Sequence, residues 1–321
     1  MNTRSLLPRS VVRSCLLVGA LVAASRAQAE APTCLYMWGG NPPLLFPSGI
    51  TINSAGIAYV ADTGNNRIVQ ATASGTTIRT WGSAGSEPGQ FSTPLGLATG
   101  PDGNVYVADY MNNRVQVFTA DGVFLRAWGE YGDGPGELQG PRDVAVDRFG
   151  NVHVVDSSPR VQVFTPMGQF IEEWGRGYVA GVPTSVAFND LGWAYLTVAT
   201  SNTVLVRTGQ SSYVTWKTFD LYPGIFRAIT SIAVDHSGNV YVTDRLNNLV
   251  QEFTATGKFV RGWGQDQYPY CGAFHSPMDV ATDDSGFIHV VDTNDSRIVV
   301  YGDLPVAAAH SSWGQLKVLY R

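Results

Sequence analysis

Self-similarity constrains this chain more than any other property. The segments GIAYVADTGNNRIVQ (56–70), GNVYVADYMNNRVQV (103–117), GNVHVVDSSPRVQV (150–163), GWAYLTVATSNTVLV (192–206), GNVYVTDRLNNLVQE (238–252) and GFIHVVDTNDSRIVV (286–300) are six copies of one unit. Their shared column falls at Asp62, Asp109, Asp156, Val198, Asp244 and Asp292, at intervals of 47, 47, 42, 46 and 48 residues. Repeats of this length belong to solenoids, propellers and related arrays, in which one unit cannot bury its own faces.

The order within a unit selects among these. A short run opens near a proline (Pro47, Pro94, Pro141, Pro183, Pro277), followed by a glycine turn, a VYVAD-like run, an RVQVF-like run, a second turn and a run ending in Trp. Apolar residues alternate at period two, and β-branched and aromatic residues dominate, so each unit reads as four strands. The predicted fold is therefore all-β: a six-bladed β-propeller with four antiparallel strands per blade. Blades are expected near 47–91, 94–138, 141–180, 183–224, 228–272 and 277–304.

Trp81, Trp128, Trp174, Trp216 and Trp263 lie 18 or 19 residues beyond the shared column, whereas the sixth unit offers only Trp313 at 21, without the usual turn. Trp38 stands nine residues before Pro47, the same spacing as Trp174 to Pro183. Residues 33–40 are therefore expected to supply the outer strand of the last blade, which removes the exposed sheet edge of an open array. Residues 305–321 then form an appended tail.

Residues 1–29 place Arg4, Arg9 and Arg13 before an apolar run from Cys15 to Ala24 and end in Ala27-Gln28-Ala29, the pattern of a secretory signal peptide. The run is too short to span a bilayer. The expected location is secreted or periplasmic, with a retained N-terminal anchor as the other reading. Removing four Arg of 21 basic residues against 26 acidic ones leaves 17 − 26 = −9, which disfavours a nucleic-acid partner. Of three cysteines, Cys34 and Cys271 remain after cleavage. They suit a disulfide in an oxidising compartment, or two buried thiols.

The pattern GNVYVAD, NNRV, WG and GSEPGQF resembles the NHL-repeat family, most closely at ADTGNNRIV with WGSAGSEPGQFSTP and at ADYMNNRVQVF with WGEYGDGPGELQGP, over residues 33–304. The resemblance implies the propeller. For function it implies a range: binding modules, RNA-binding domains, extracytoplasmic sensor domains and a zinc-dependent lyase acting on peptidyl-hydroxyglycine. In the lyase relatives the metal histidines follow the opening proline; here those positions hold Ser48, Leu95, Arg142, Thr184 and Met278.

The Asp column with Arg67, Arg114, Arg160 and Arg297 recurs blade after blade, so it is read as structural rather than as acid/base chemistry. The Trp column, Trp38 included, is read likewise. His153 and His289 fill a column otherwise held by Tyr59, Tyr106, Tyr195 and Tyr241, and lie in opposite blades. A calcium-dependent lactonase would need several carboxylates in the channel. Asp143 and Asp279, two residues after the opening proline, are the candidates, while Asp147, Asp235 and Asp283 begin turns.

No cofactor and no metal ligand set is assigned. Candidate binding residues are Arg142, Asp143, Met278 and Asp279 at the channel mouth, the turn residues Asn65, Asn66, Asn112 and Asn113, and the loop aromatics Tyr268 and Tyr270. Loops gathered on one face of a rigid scaffold commonly bind. The expected protein is a monomeric, non-catalytic scaffold for a protein, peptide or glycan, with an extracytoplasmic metal-dependent lactonase or lyase as the alternative.

Overall fold

The structure, a computed structural model, describes residues 30–216, 225–265 and 271–303. Residues 1–29, read as a signal peptide from the sequence, Tyr268, Tyr270 and residues 305–321 lie outside them. The chain divides into Met1–Glu30 and Ala31–Arg321, and the propeller belongs to the second unit.

Strand β1 (Thr33–Trp38) precedes blade one, which is β2 (Gly49–Ile52), β3 (Ile57–Asp62), β4 (Arg67–Thr72) and β5 (Thr77–Trp81). Blade two is β6 (Pro94–Thr99), β7 (Val105–Asp109), β8 (Arg114–Phe118) and β9 (Phe124–Trp128); blade three is β10 (Asp143–Val146), β11 (Val152–Val155), β12 (Val161–Phe164) and β13 (Phe170–Trp174). Blade four is β14 (Pro183–Phe188), β15 (Ala194–Val198), β16 (Thr203–Gly209) and β17 (Ser212–Trp216), and blade five is β18 (Ile229–Val234), β19 (Val240–Asp244), β20 (Leu249–Phe253) and β21 (Phe259–Trp263). Blade six is β22 (Pro277–Thr282), β23 (Ile288–Asp292) and β24 (Arg297–Gly302), completed by β1, which pairs antiparallel with β24 from Thr33↔Gly302 to Trp38↔Ile298. The ring is closed by the N-terminal strand.

Burial follows from strand position. The second strand of each blade is packed on both faces, as in VYVAD of β7, which is mostly apolar and buried throughout. The outer strands, such as FLRAW of β9, alternate because one face meets solvent. The apolar clusters lie between blades: Tyr59, Ala61 and Ile68 of blade one meet Leu97, Val105, Val107 and Phe118 of blade two, and Trp38, Val291, Ile298 and Val300 of blade six meet Ile50, Ala58, Val60 and Val69 of blade one. No blade carries its own core, which is why the ring must close.

The Trp column joins successive blades. Trp81 stacks edge-on against Tyr59 and abuts Gly122, in the last turn of blade two. Gly122 has φ +79, and a Cβ there would lie 2.6 Å from the indole. The turn needs glycine both for its left-handed backbone and for this contact.

The Asp column holds connections. Asp62, Asp109, Asp156, Asp244 and Asp292 each accept the backbone N–H seventeen residues earlier, from Leu45 (2.7 Å), Ser92 (2.8 Å), Gln139 (3.2 Å), Arg227 (2.9 Å) and His275 (2.6 Å). The paired arginines reach carbonyls of the same connections: Arg67 to Pro43, Arg114 to Gln90, Arg160 to Glu137 and Arg297 to Ala273, each at 2.9 Å. Each Asp–Arg pair thus fastens the incoming loop of its own blade. Blade four replaces this with packing: Val198 is buried in an apolar cluster with Val179, which lies in the short connection between Trp174 and Pro183.

A disulfide joins Cys34 of β1 to Cys271, Cα atoms 6.4 Å apart and 237 residues apart in sequence. It ties the closing strand to the connection between blades five and six. Among the described residues no helix is long and apolar enough to cross a membrane.

Candidate functional site

The inner strands β2, β6, β10, β14, β18 and β22 surround the central channel, and the residue two positions after the opening proline recurs on each. Read around the ring, that column is Gly49, Gly96, Asp143, Ser185, Ser231 and Asp279. Inner strands are sheet edges with backbone groups facing the channel, and these must find partners. The carboxylates supply them. Asp279 accepts the N–H of Ile50 in blade one (2.6 Å), the N–H of Val280 (2.9 Å) and the hydroxyl of Ser231 in blade five. Asp143 accepts the N–H of Val186 in blade four (3.1 Å) and of Val144 (2.8 Å). Gly96 makes the room for this, since a Cβ there would collide with the Asp143 carboxylate.

These groups form the floor of a cavity of about 430 Å³ at the channel mouth. Its rim is the position just after the proline, where Ser48, Leu95, Arg142, Thr184, Thr230 and Met278 lie side by side, joined by Thr200 and Arg245 from the turns of blades four and five. The four mouth residues expected from sequence, Arg142, Asp143, Met278 and Asp279, therefore share one cavity. Arg245, Ser185 and Ser231 were not anticipated.

Arg142 is held firmly. Its N–H donates to Val155 (2.7 Å), its carbonyl accepts from Gly96 (2.9 Å), and its guanidinium lies 5.4 Å from the centre of the Tyr110 ring. Its Nε is buried and has no hydrogen-bond partner among the described residues.

The asparagines of the repeat are engaged elsewhere. Asn65 and Asn112 donate to Asp62 and Asp109, each at 2.8 Å. Asn66 and Asn113 adopt left-handed backbone, φ +50 and +53, which Asn tolerates. Their side-chain oxygens accept the N–H groups of Thr93 and Gly140 at 2.9 Å, latching each blade to the connection leading into the next. Asn248 does the same for Ser276.

Burial, and for Asp143 also the negative charge of Asp279, raises the two floor carboxyls, Asp143 to about 7 and Asp279 to about 6. A carboxyl raised above its unfolded value of 3.8 contributes stability that is complete below pH 4 and lost as pH climbs through 6 to 7. Asparagine mimics the protonated acid. Between pH 4.5 and 7.5 wild-type protein is expected to lose about 2 kcal/mol more unfolding free energy than Asp279→Asn. Urea titrations at the two pH values check this; equal losses would show that Asp279 is ionised throughout.

Metal fit can be judged from the donors. Among the described residues no group of three or more His, Cys, Asp or Glu is gathered. The two carboxylates of the floor already accept two or three hydrogen bonds each, whereas calcium takes six to eight oxygens. The donor set does not fit such an ion.

The class defined by fold and site is a six-bladed β-propeller with a polar, ligand-sized cavity at its channel mouth. Residues 44–70 and 91–118, in blades one and two, match the NHL repeat. No curated protein matches the chain. Among solved structures it is similar to a catalytically inactive virginiamycin B lyase from Staphylococcus aureus with quinupristin, at 16% identity and TM-score 0.59 over 80% of each chain. It is also similar to a gluconolactonase from Xanthomonas campestris, at 14% identity and TM-score 0.63, over 86% of this chain and 96% of that one. At these identities the likeness concerns the fold.

Proposed function

We propose that this protein is an exported, monomeric binding module that receives its ligand at the channel mouth and performs no chemistry there. The observation that carries the reading is the division of labour in the cavity. Asp143 and Asp279 are occupied in joining inner strands, while the guanidinium groups of Arg142 and Arg245 have no hydrogen-bond or ion-pair partner among the described residues. A cavity of this volume falls in the range of small-molecule sites. Export is supported by the signal-like segment 1–29 and by the Cys34–Cys271 bond, which suits an oxidising compartment.

The competing reading, a metal-dependent lactonase or lyase, draws on the two enzymes named above and on Asp143, whose raised carboxyl in a cavity is what a general acid or base needs. Two measurements separate them. Ligands that raise the melting temperature of the wild type are expected to lose that effect in Met278→Trp, which fills the mouth; a ligand that still stabilises the variant would place binding elsewhere. Elemental analysis showing one divalent metal per chain, with a melt lowered by EDTA, would favour the enzyme.

A further inference from the structure

Two guanidinium groups with no ion-pair or hydrogen-bond partner among the described residues are unusual in a chain whose charge is net negative, and both open onto the same cavity. Arg142 enters it from the start of the inner strand of blade three, and Arg245 from the turn after β19 in blade five. No other blade carries a charged residue at either position. The residues equivalent to Arg142 are Ser48, Leu95, Thr184, Thr230 and Met278, and those equivalent to Arg245 are Thr63, Tyr110, Ser157, Ala199 and Thr293. Neither arginine belongs to the Asp–Arg pairs that fasten connections, so the scaffold does not account for them.

Arg142 is also preorganised. Its backbone is bonded on both sides, its guanidinium rests on Tyr110, and Gly140 leaves the space that the Tyr110 ring occupies, since a Cβ there would approach the ring to 2.7 Å. A fixed planar guanidinium is suited to two-point binding of an oxyanion, here through its two terminal nitrogens, since Nε is buried. The rest of the wall is hydroxyl-bearing: Ser48, Thr184, Thr200 and Thr230 on the rim and Ser185 and Ser231 below. Hydroxyls that both donate and accept match a ligand that does the same.

We propose that the channel mouth binds a small polyhydroxylated molecule carrying an oxyanion, a sugar acid or a sugar phosphate, with the anion held by Arg142 and Arg245 and the hydroxyls by the threonine and serine wall. This rests on the mouth being the binding site. The charged groups of the cavity among the described residues are Arg142, Arg245, Asp143 and Asp279. Protonation of the two carboxyls removes the negative charge beneath the anion, so binding tightens on acidification.

The test uses the mature chain from Glu30, with D-glucuronate, D-glucose 6-phosphate and neutral D-glucose as probes, read by calorimetry. One or both anionic sugars are expected to bind at least tenfold more tightly than glucose, and their relative affinities tell carboxylate from phosphate recognition. Arg142→Gln and Arg245→Gln are each expected to weaken the anionic probe at least tenfold without lowering the melting temperature, and Arg142→Lys to recover part of the loss. Glucuronate, ionised throughout, is expected to bind more tightly at pH 5.5 than at pH 8. Equal binding of glucose, unchanged binding by the two glutamine variants, or no binding of either anion overturns the proposal. If neutral ligands stabilise the wild type but not Met278→Trp, the anion class is wrong and the mouth remains the site; if no ligand distinguishes these two proteins, the mouth reading fails as well.

Discussion

A chain that begins at Gly39, lacking β1, is expected not to persist as a folded monomer. Deletion takes away the pairing of β1 with β24 from Thr33 to Trp38, the buried Trp38 that seals blade six against blade one, and the disulfide to Cys271. It also exposes β24, whose buried run RIVVYG becomes a sheet edge open to another chain. A lost disulfide that closes a loop of this length is worth about 2–5 kcal/mol by itself, and a whole domain holds only about 5–15 kcal/mol. Strand, indole and disulfide together therefore exceed or match the entire margin. Size-exclusion chromatography with light scattering is expected to show aggregates or dimers, with no cooperative melt near that of the chain beginning at Glu30. Cys271→Ser separates the contributions: it keeps the strand, should remain a monomer, and should melt lower by on the order of 10 °C. A monomer with an unchanged melt after deletion of β1 would mean that blade six is stable with three strands.

Asp109→Ala is expected to cost about 3–5 kcal/mol, the range for removing one member of a buried charge pair. Asp109 is fully buried and accepts from Ser92 N–H, Asn112, Arg114 and Gln116 at 2.8 to 3.0 Å. The substitution takes from the buried Gln116 one of its two acceptors, leaving it the Gln90 carbonyl at 2.6 Å, and leaves the Arg114 guanidinium facing a void. Asp109→Val, which copies the residue found in blade four, should fare no better. Val198 shares an apolar cluster with Val179, whereas in blade two the backbone N–H of Ser92 in the longer connection would lose its acceptor. Equilibrium unfolding in urea gives the number. A loss below 1 kcal/mol for Asp109→Ala would mean that water replaces the carboxylate and that the repeat motif is dispensable for stability.

Much of this architecture was legible because repetition turns each column into its own control. A residue that returns in five of six blades, such as the Asp at 62, 109, 156, 244 and 292, has to serve something every blade needs, and each carboxylate indeed fastens a connection. Arg142, Asp143, Met278 and Asp279 stood out by position: each follows the proline that opens an inner strand, which sets it at the channel mouth. Arg245 follows the Asp of its blade, where side chains vary most, and nothing local marks it as facing the channel. Ser185 and Ser231 were invisible for a different reason. A serine on a strand is unremarkable until the ring sets it beside carboxylates from blades more than forty residues away. The asparagines were the ambiguous case, since a turn residue and a ligand-facing residue are spelled alike. Only the left-handed backbone at Asn66 and Asn113, with their oxygens turned toward the next blade, separates the two.

The closing strand also imposes an order in time. β1 is among the first parts of the propeller to leave the ribosome, and its partner β24 is made some 260 residues later. Until then β1 has no mate, and blade one has no neighbour against Ile50, Val60 and Val69. The final step of folding is thus a contact between the oldest and newest segments of the chain, slow to find because so much polymer separates them. A protein built this way reaches its finished form only after synthesis is essentially complete, and oxidation of Cys34 with Cys271 registers that completion as a covalent bond.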